Sequence, residues 1–152
     1  MTNFYDILDQ LRGKLLEHPS VNTVTTGNLT DIDLGKTTIF PLTHLIVKNA
    51  TISDKLIEFN VNITCMDIID QTNDITEYDV FYGNDNTQDV LNTQLNVINT
   101  IFSHLKRGDL WDIQIQTDDD ITAEPFLSRF ENVLAGWEAD ISIRMINGLN
   151  IC

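Results

Sequence analysis

Two runs of strict alternation between apolar and polar residues constrain the fold of this chain more than any other feature. In the first run, apolar Ile57, Phe59, Val61, Ile63 and Cys65 alternate with polar Glu58, Asn60, Asn62 and Thr64. In the second, apolar Trp137, Ala139, Ile141, Ile143 and Met145 alternate with polar Glu138, Asp140, Ser142 and Arg144. Successive side chains of a β-strand point to opposite faces, so both runs predict antiparallel strands with one apolar and one polar face. The first run is long for a strand and is able to extend past the domain body.

Two segments carry the three- and four-residue spacing of amphipathic helices. Residues 3–18 place Phe4, Leu8, Leu11 and Leu15 on one face, which Ile7 and Leu16 widen, and Pro19 ends the segment. Residues 87–105 repeat the pattern with Leu91, Leu95, Ile98, Phe102 and Leu105. Lys106, Arg107 and Gly108 then supply the charges and the glycine that favour a helix C-terminus.

The remaining elements follow from weaker patterns. Val21 to Thr26 predicts a short strand, followed by a long exposed loop and a β-prone return at Thr37 to Phe40. Thr43 to Ala50 and Lys55 to Ile69 predict a strand pair that turns at Ser53-Asp54. The alternation of Trp111, Ile113 and Ile115 predicts another strand, and Pro125 suits an edge or entry position before the ambiguous stretch Phe126 to Leu134.

This order of elements predicts a single domain over residues 1–152. Helix, strands, helix, strands is typical of an α+β fold with a mainly antiparallel sheet and two helices packed on one face. The polar side chains of the alternating strands then face away from the helices. For Asn60, Asn62 and Thr64, and for Glu138, Asp140 and Ser142, two interpretations stay open. This face is either solvent-exposed, or an interface where sheets of neighbouring subunits meet edge to edge.

The chain is strongly acidic. Its 23 acidic and 9 basic residues give a formal net charge of −14. A surface of this charge repels phosphate backbones and anionic lipid, so we expect no direct binding to nucleic acid or membrane. The acidic residues either keep the protein soluble or, in a more specific interpretation, line a passage through which DNA moves without binding.

The histidines and cysteines, which often act as catalytic residues or metal ligands, do not cluster in the sequence. His18, His44 and His104 lack metal-ligand spacing, and we interpret them as surface histidines or as satisfied core histidines. Cys65 and Cys152 form no zinc or redox motif and suit a reducing cytosol. Asp118-Asp119-Asp120 has the chemistry to hold calcium or magnesium, but it lacks the EF-hand glycine and distal glutamate, so we interpret it as a solvated loop. We therefore expect no catalytic residue, no metal and no cofactor.

Met1 to Leu8 has no basic, apolar leader, and no stretch is long enough to span a membrane.

The C-terminal third resembles a known class of proteins. The run from Phe130 to Ile143, FENVLAGWEADISI, together with the ending Asn150-Ile151-Cys152, looks like the tail of small structural proteins from phages that infect Bacteroidetes, including crAss-like phages. Leu134-Ala135-Gly136-Trp137 is the specific part of this resemblance. The order of elements over the whole chain is similar to that of tail-terminator and head–tail connector proteins of tailed phages.

This resemblance implies a non-enzymatic virion protein that forms a homo-oligomeric ring in the neck or tail and is assembled in the host cytoplasm. Its partners would be copies of itself and other neck, portal-proximal or tail proteins, and DNA would pass through without specific binding. The resemblance places candidate contacts in the loop Gly27 to Phe40 and in the stretch Asp70 to Asn86. The candidate contact residues there are Thr30, Leu34, Ile39, Phe40, Val80, Phe81 and Tyr82.

Two alternatives come from other classes of protein. The first is an acidic DNA mimic that inhibits a host nuclease or defence protein, which the net charge of −14 and the small size favour. The second is a small enzyme that uses a divalent ion near Asp118. A mimic needs its acids concentrated on one face, whereas here they are distributed over strands, loops and helices.

Overall fold

The chain folds into an α+β domain with one mainly antiparallel sheet, as the sequence predicts. The computed structural model describes residues 4–27, 39–69, 87–117, 119–127 and 134–147. Its helices are α1 (Phe4–Leu16), α2 (Thr87–Arg107) and the short α3 (Asp109–Asp112). Its strands are β1 (Thr23–Thr26), β2 (Leu42–Ile52), β3 (Leu56–Ile68), β4 (Ala123–Leu127) and β5 (Leu134–Ile146).

The five strands are arranged in the order β1-β2-β3-β5-β4. The pair of β2 and β3 is antiparallel, which confirms the predicted strand pair. β3 and β5, which contain the two alternating runs, pair along their whole length, from Leu56 opposite Ile146 to Ile68 opposite Leu134. β1 lies parallel to β2, and β4 is an edge strand antiparallel to β5. Pro125 lies within β4, where an edge position tolerates the missing N–H.

α1 and α2 pack on the same face of the sheet, and the main core lies between the two layers. The sheet contributes Phe59, Val61, Ile63, Cys65, Ala139, Ile141, Ile143 and Met145 to this core. The helices contribute Ile7, Leu11, Leu15, Val97, Ile98, Ile101 and Leu105. Both alternating runs therefore turn their apolar residues toward the helices, which confirms the faces predicted from the sequence.

The buried face of α2 is rotated from the predicted one. Val90, Val97 and Ile101 are buried, whereas Leu95 is 39% exposed and Phe102 is only partly buried. The apolar stripe of α2 is wider than the surface that the sheet covers. Part of the predicted stripe consequently lies beside the sheet instead of on it.

The predicted strand at Trp111, Ile113 and Ile115 is wrong. The N–H of Asp112 donates to the carbonyl of Gly108 over 3.1 Å, so the chain makes another helical turn, α3, after α2 ends. This turn buries Leu110 and Ile115 and leaves Ile113 exposed, which local alternation did not anticipate. In this stretch, Gln116 forms an isolated antiparallel bridge with Arg144. Among the described residues, no helix has both the length and the apolarity needed to cross a membrane.

Candidate assembly surfaces

The centre of the helix-free sheet face is a network of polar side chains. The Asn62 amide nitrogen donates to Glu138 Oε1 and to Asp140 Oδ1, each over 3.0 Å, and Thr64 Oγ1 donates to Asn62 Oδ1 over 3.2 Å. Asn62 is only 4% exposed and Thr64 is also buried. Of the two interpretations left open for this face, exposure to solvent is wrong for Asn62 and Thr64, because neighbouring side chains of β5 cover them. The strand register causes this, since it places Asn62 directly opposite Asp140.

A bulge in β2 adds a cation to this network. The register with β3 shifts between Val47 and Asn49, and Lys48 Nζ lies 3.0 Å from Asp140 Oδ1. The hydrogen bond from Asn62, assisted by Lys48, holds the pKa of Asp140 below its ordinary value. The groups at the centre of this face thus satisfy one another.

One end of the same face is apolar. Phe40, Leu42, Met66 and Leu134 form a small buried cluster against which Ile39, Ile68 and Phe126 pack. This cluster contains the two predicted contact residues that the structure describes: Phe40 is buried, and Ile39 is partly buried. The other five, Thr30, Leu34, Val80, Phe81 and Tyr82, lie outside the described residues.

His44 is a satisfied core histidine, one of the two interpretations given for the histidines. Its ring nitrogens lie 2.7 Å from Thr25 Oγ1 and 2.9 Å from the carbonyl oxygen of Gly27, and burial lowers its pKa. In the predicted acid cluster, Asp119 and Asp120 are exposed, and Asp118 lies outside the described residues. Within the described ranges, no three His, Cys, Asp or Glu side chains are placed to hold a metal ion.

The specific part of the resemblance to phage proteins, Leu134 to Trp137, packs inside the domain. Leu134 and Ala135 are fully buried, and Gly136 lies against the main chain of Cys65 and Met66. The Trp137 indole nitrogen donates to the carbonyl oxygen of Leu91 over 2.7 Å, which ties β5 to α2. These residues therefore stabilise the fold. The only sequence signal for this role is that two small residues, Ala135 and Gly136, precede Trp137.

Both edges of the sheet leave backbone groups without a partner strand among the described residues. β1 pairs only with Leu42 to Leu45, so the outer side of β2 from Ile46 to Ile52 has no neighbour strand in this part of the structure. The outer side of β4 is likewise unpaired there. Open edges of this kind are templates for pairing with another chain.

The first region with exposed apolar residues, which we name the hairpin end, consists of Lys48 to Leu56 together with Ile146. Ile52 pairs with Ile57 on the helix-packed side of the sheet, whereas Leu56 pairs with Ile146 on the helix-free side. Ile52 is 72% exposed, Ile146 is 52% exposed and Leu56 is 38% exposed. The turn is nevertheless well ordered by hydrogen bonds: Ser53 N–H and Oγ both donate to the carbonyl of Leu56 over 2.9 Å. Asn147 adds two more, donating its N–H to the Lys55 carbonyl and its side-chain amide to the Ser53 carbonyl, each over 2.9 Å.

The second apolar surface, which we name the side groove, is a cavity of about 410 Å³ between α2 and the edge strand β4. Its apolar lining is formed by Leu95, Ile98, Phe102, Ile121, Ala123 and Trp137. Asp120 also lines the side groove, and the neighbouring Asp119 is exposed. The apolar residues of α2 that do not pack on the sheet, such as Leu95 and Phe102, thus line this groove.

A comparison with protein-family models finds no matching family, and a comparison with curated proteins finds no matching sequence.

Proposed function

We propose that this chain is a structural virion protein that forms a ring in the neck or tail of a tailed phage, as a head–tail connector or tail terminator through which DNA passes. The observation that carries the proposal is the pair of sheet edges without partner strands in the described structure, together with the exposed apolar residues of the hairpin end. A sheet with such edges is suited to copy-to-copy contacts. The resemblance in the segment from Phe130 to Ile143 supports the phage assignment.

The charge supports the passage of DNA. A formal net charge of −14 in a chain of 152 residues makes each subunit repel phosphate groups. A ring of such subunits multiplies that repulsion around its opening, so that DNA moves through without adhering. Binding of DNA by this chain would work against such a role.

The DNA-mimic alternative shares the acidic charge but receives less support from its distribution. Among the described carboxylates, Asp9 lies exposed on α1, which covers one face of the sheet, and Glu17 lies exposed just after this helix. Glu124 and Asp140 lie exposed on the strands, and Asp140 belongs to the helix-free face. A mimic needs phosphate-like spacing on one surface, whereas these acids lie on both sides of the molecule.

Locating the chain in purified phage particles tests the proposal. Washed virions should contain the chain at a fixed copy number, and electron microscopy should place it as a ring at the head–tail junction or in the tail. Native material found only as a free single copy, absent from virions, would contradict the proposal. Inhibition of a nuclease by that free copy would support the DNA-mimic alternative.

A further inference from the structure

We propose that the exposed face of α2 pairs with the same face of α2 in a second copy of this chain, with the two helices antiparallel. The inference goes beyond the proposed ring, because a two-fold contact joins copies in pairs and does not by itself close a ring. The face, which we name the amide seam, consists of Asn92, Asn96, Asn99 and Ser103, with Asp89 at one end and Arg107 at the other.

The amide seam has the spacing of a helix face that packs along a neighbouring helix. Its members from Asn92 to Ser103 recur at intervals of four, three and four residues, which places them on one side of α2. The three asparagines are exposed and Ser103 is partly exposed. Val90, Val97 and Ile101 are buried on the opposite side of the helix. The amide seam therefore faces away from the sheet.

This face is uncharged in a strongly charged chain. Residues 90–105 contain no Asp, Glu, Lys or Arg, and no other run of the sequence without these residues is as long. The exposed side of α1, by contrast, carries Asp9 and Arg12. A recess of about 630 Å³ beside the seam is also bordered by uncharged residues, namely Ser20, Asn92, Thr93, Leu95, Asn96 and Asn99. Depletion of charge is typical of the centre of a protein interface.

The absence of charge favours a second copy as the partner. Two copies with a net charge of −14 each repel one another, so they approach with least repulsion where a surface carries no acid. A basic partner would be attracted instead to the acidic parts of the surface. An asparagine amide both donates and accepts hydrogen bonds, so a row of amides is complementary to an identical row.

The charges at the two ends of the amide seam set the direction of the pair. Asp89 lies in the first turn of α2 and Arg107 in the last, and both are exposed. Neither forms an ion pair with any described residue. An antiparallel pair brings Asp89 of each copy toward Arg107 of the other, whereas a parallel pair would bring like charges together. The contact uses the same surface on both copies and is therefore two-fold.

The same alignment matches the side chains between the two ends. It places Asn92 of one copy beside Ser103 of the other, and Asn96 beside Asn99, where amide and hydroxyl groups are able to exchange hydrogen bonds. Leu95, next to the seam and 39% exposed, adds apolar contact area. A contact of one helix per copy belongs to the small interfaces, below about 1,200 Å², which are weak. The pair therefore forms at high protein concentration, and unfolding measured at low concentration reports on single copies.

Disulfide formation tests the partner and its direction in the full-length chain. Cys152→Ser serves as the background, in which the one remaining cysteine, Cys65, is buried. One variant adds Asn92→Cys and a second adds Ser103→Cys. A disulfide needs Cα atoms within about 7 Å, which the antiparallel pair provides between positions 92 and 103 of different copies. Two cysteines at position 92 would lie about 16 Å apart along the helices.

We expect an oxidised mixture of the two cysteine variants to form a covalent dimer of twice 17.3 kDa on a non-reducing gel. Each variant alone should form this dimer at least about tenfold more slowly. Circular dichroism establishes that both variants are folded. Each variant alone is thus the matched control for the mixture, because it carries the same kind of thiol without the complementary position.

Charge reversal tests the ends of the seam without cysteines. Asp89→Lys and Arg107→Glu should each weaken pairing at least about tenfold in sedimentation equilibrium, because each places like charges together twice. An equimolar mixture of the two variants restores both ion pairs and should associate like the parent chain. Asp9→Lys and Arg12→Glu make the same changes of charge at exposed positions of α1 and should associate like the parent chain.

Three results would overturn the inference. The first is a mixture of the cysteine variants that gives no more dimer than each variant alone. The second is an association of the α2 charge variants that equals that of the α1 controls. The third is a mixture of the α2 charge variants that stays as weakly associated as its components. None of these results decides whether the chain forms a virion ring, which its presence in purified particles tests separately.

Discussion

Gly136 on β5 lies directly against the main chain of Cys65 on β3. A β-carbon at position 136 would collide with the carbonyl oxygen of Cys65, and it would lie only 2.9 Å from the Cα of Met66. Both neighbours are backbone atoms of the central strand, which cannot rotate away as a side chain can. Glycine at this position is thus required by the close approach of the two longest-paired strands.

Gly136→Ala should destabilise the protein by about 3 kcal/mol, because the clash forces β3 and β5 apart. Urea unfolding followed by circular dichroism measures the change. Gly13→Ala is the matched control: it lies within α1 with no atom near the added carbon, so it should stabilise by about 0.5–1 kcal/mol. Equal stability of Gly136→Ala and the parent would show that the strands do not approach so closely.

Gln94→Met should stabilise the protein by about 1–2 kcal/mol. Gln94 on α2 is completely buried, and its amide nitrogen and oxygen have no hydrogen-bond partner within the described structure. Methionine fills a similar volume without carrying polar groups that need partners. Gln88→Met at an exposed position of the same helix should change stability by less than about 0.5 kcal/mol. A loss of stability in Gln94→Met would mean that the amide is satisfied.

Asn62→Asp should cost about 2–3 kcal/mol at pH 7, because a third carboxylate would replace the amide that donates to Glu138 and Asp140. Burial and these neighbours would raise the pKa of the new carboxyl above its unfolded value, so the cost is largest where that group is ionised. In the parent, the lowered pKa of Asp140 contributes stability above the unfolded pKa and loses it as pH falls through the folded pKa.

The stability curves of Asn62→Asp and the parent should consequently converge below about pH 4. Urea unfolding at a series of pH values measures this, with Asn96→Asp on the exposed face of α2 as the control. A difference that is independent of pH would contradict the electrostatic explanation.

Cys65 should be unreactive in the folded protein. Burial raises the pKa of its thiol from 9.0 to about 12, which lowers the thiolate fraction about a thousandfold near pH 8. In a Cys152→Ser variant, where Cys65 is the only cysteine, iodoacetamide should label the native protein far more slowly than the urea-unfolded protein. Equal labelling rates would place Cys65 in contact with solvent.

The main sheet and its apolar face were predictable because two strands alternate without interruption. The apolar residues from Phe59 to Cys65 predicted that one face of the sheet is covered by an apolar layer. The apolar face of the helix predicted at residues 3–18 could form that layer. The interactions across strands were not predictable. Alternation shows that Asn62 points away from the helices, but only the register shows that Glu138 and Asp140 bracket and bury it.

The candidate surfaces were predictable only in part. The strand pair and its turn at Ser53-Asp54 were predictable from the sequence, and Ile52, just before this turn, is 72% exposed. The side groove was not predicted because it depends on which face of α2 packs on the sheet. The apolar residues of α2 are compatible with more than one such face. The predicted strand at Trp111 failed for a related reason, since three alternating residues also fit a helical turn followed by a bend.

The mass of the full-length chain in solution tests the central claim, that copies assemble head to tail into a closed ring, most directly. Sedimentation velocity over a wide concentration range should reveal one discrete species, an integral multiple of 17.3 kDa larger than a dimer, that stops growing once formed. A mass of 17.3 kDa at every concentration would contradict the claim.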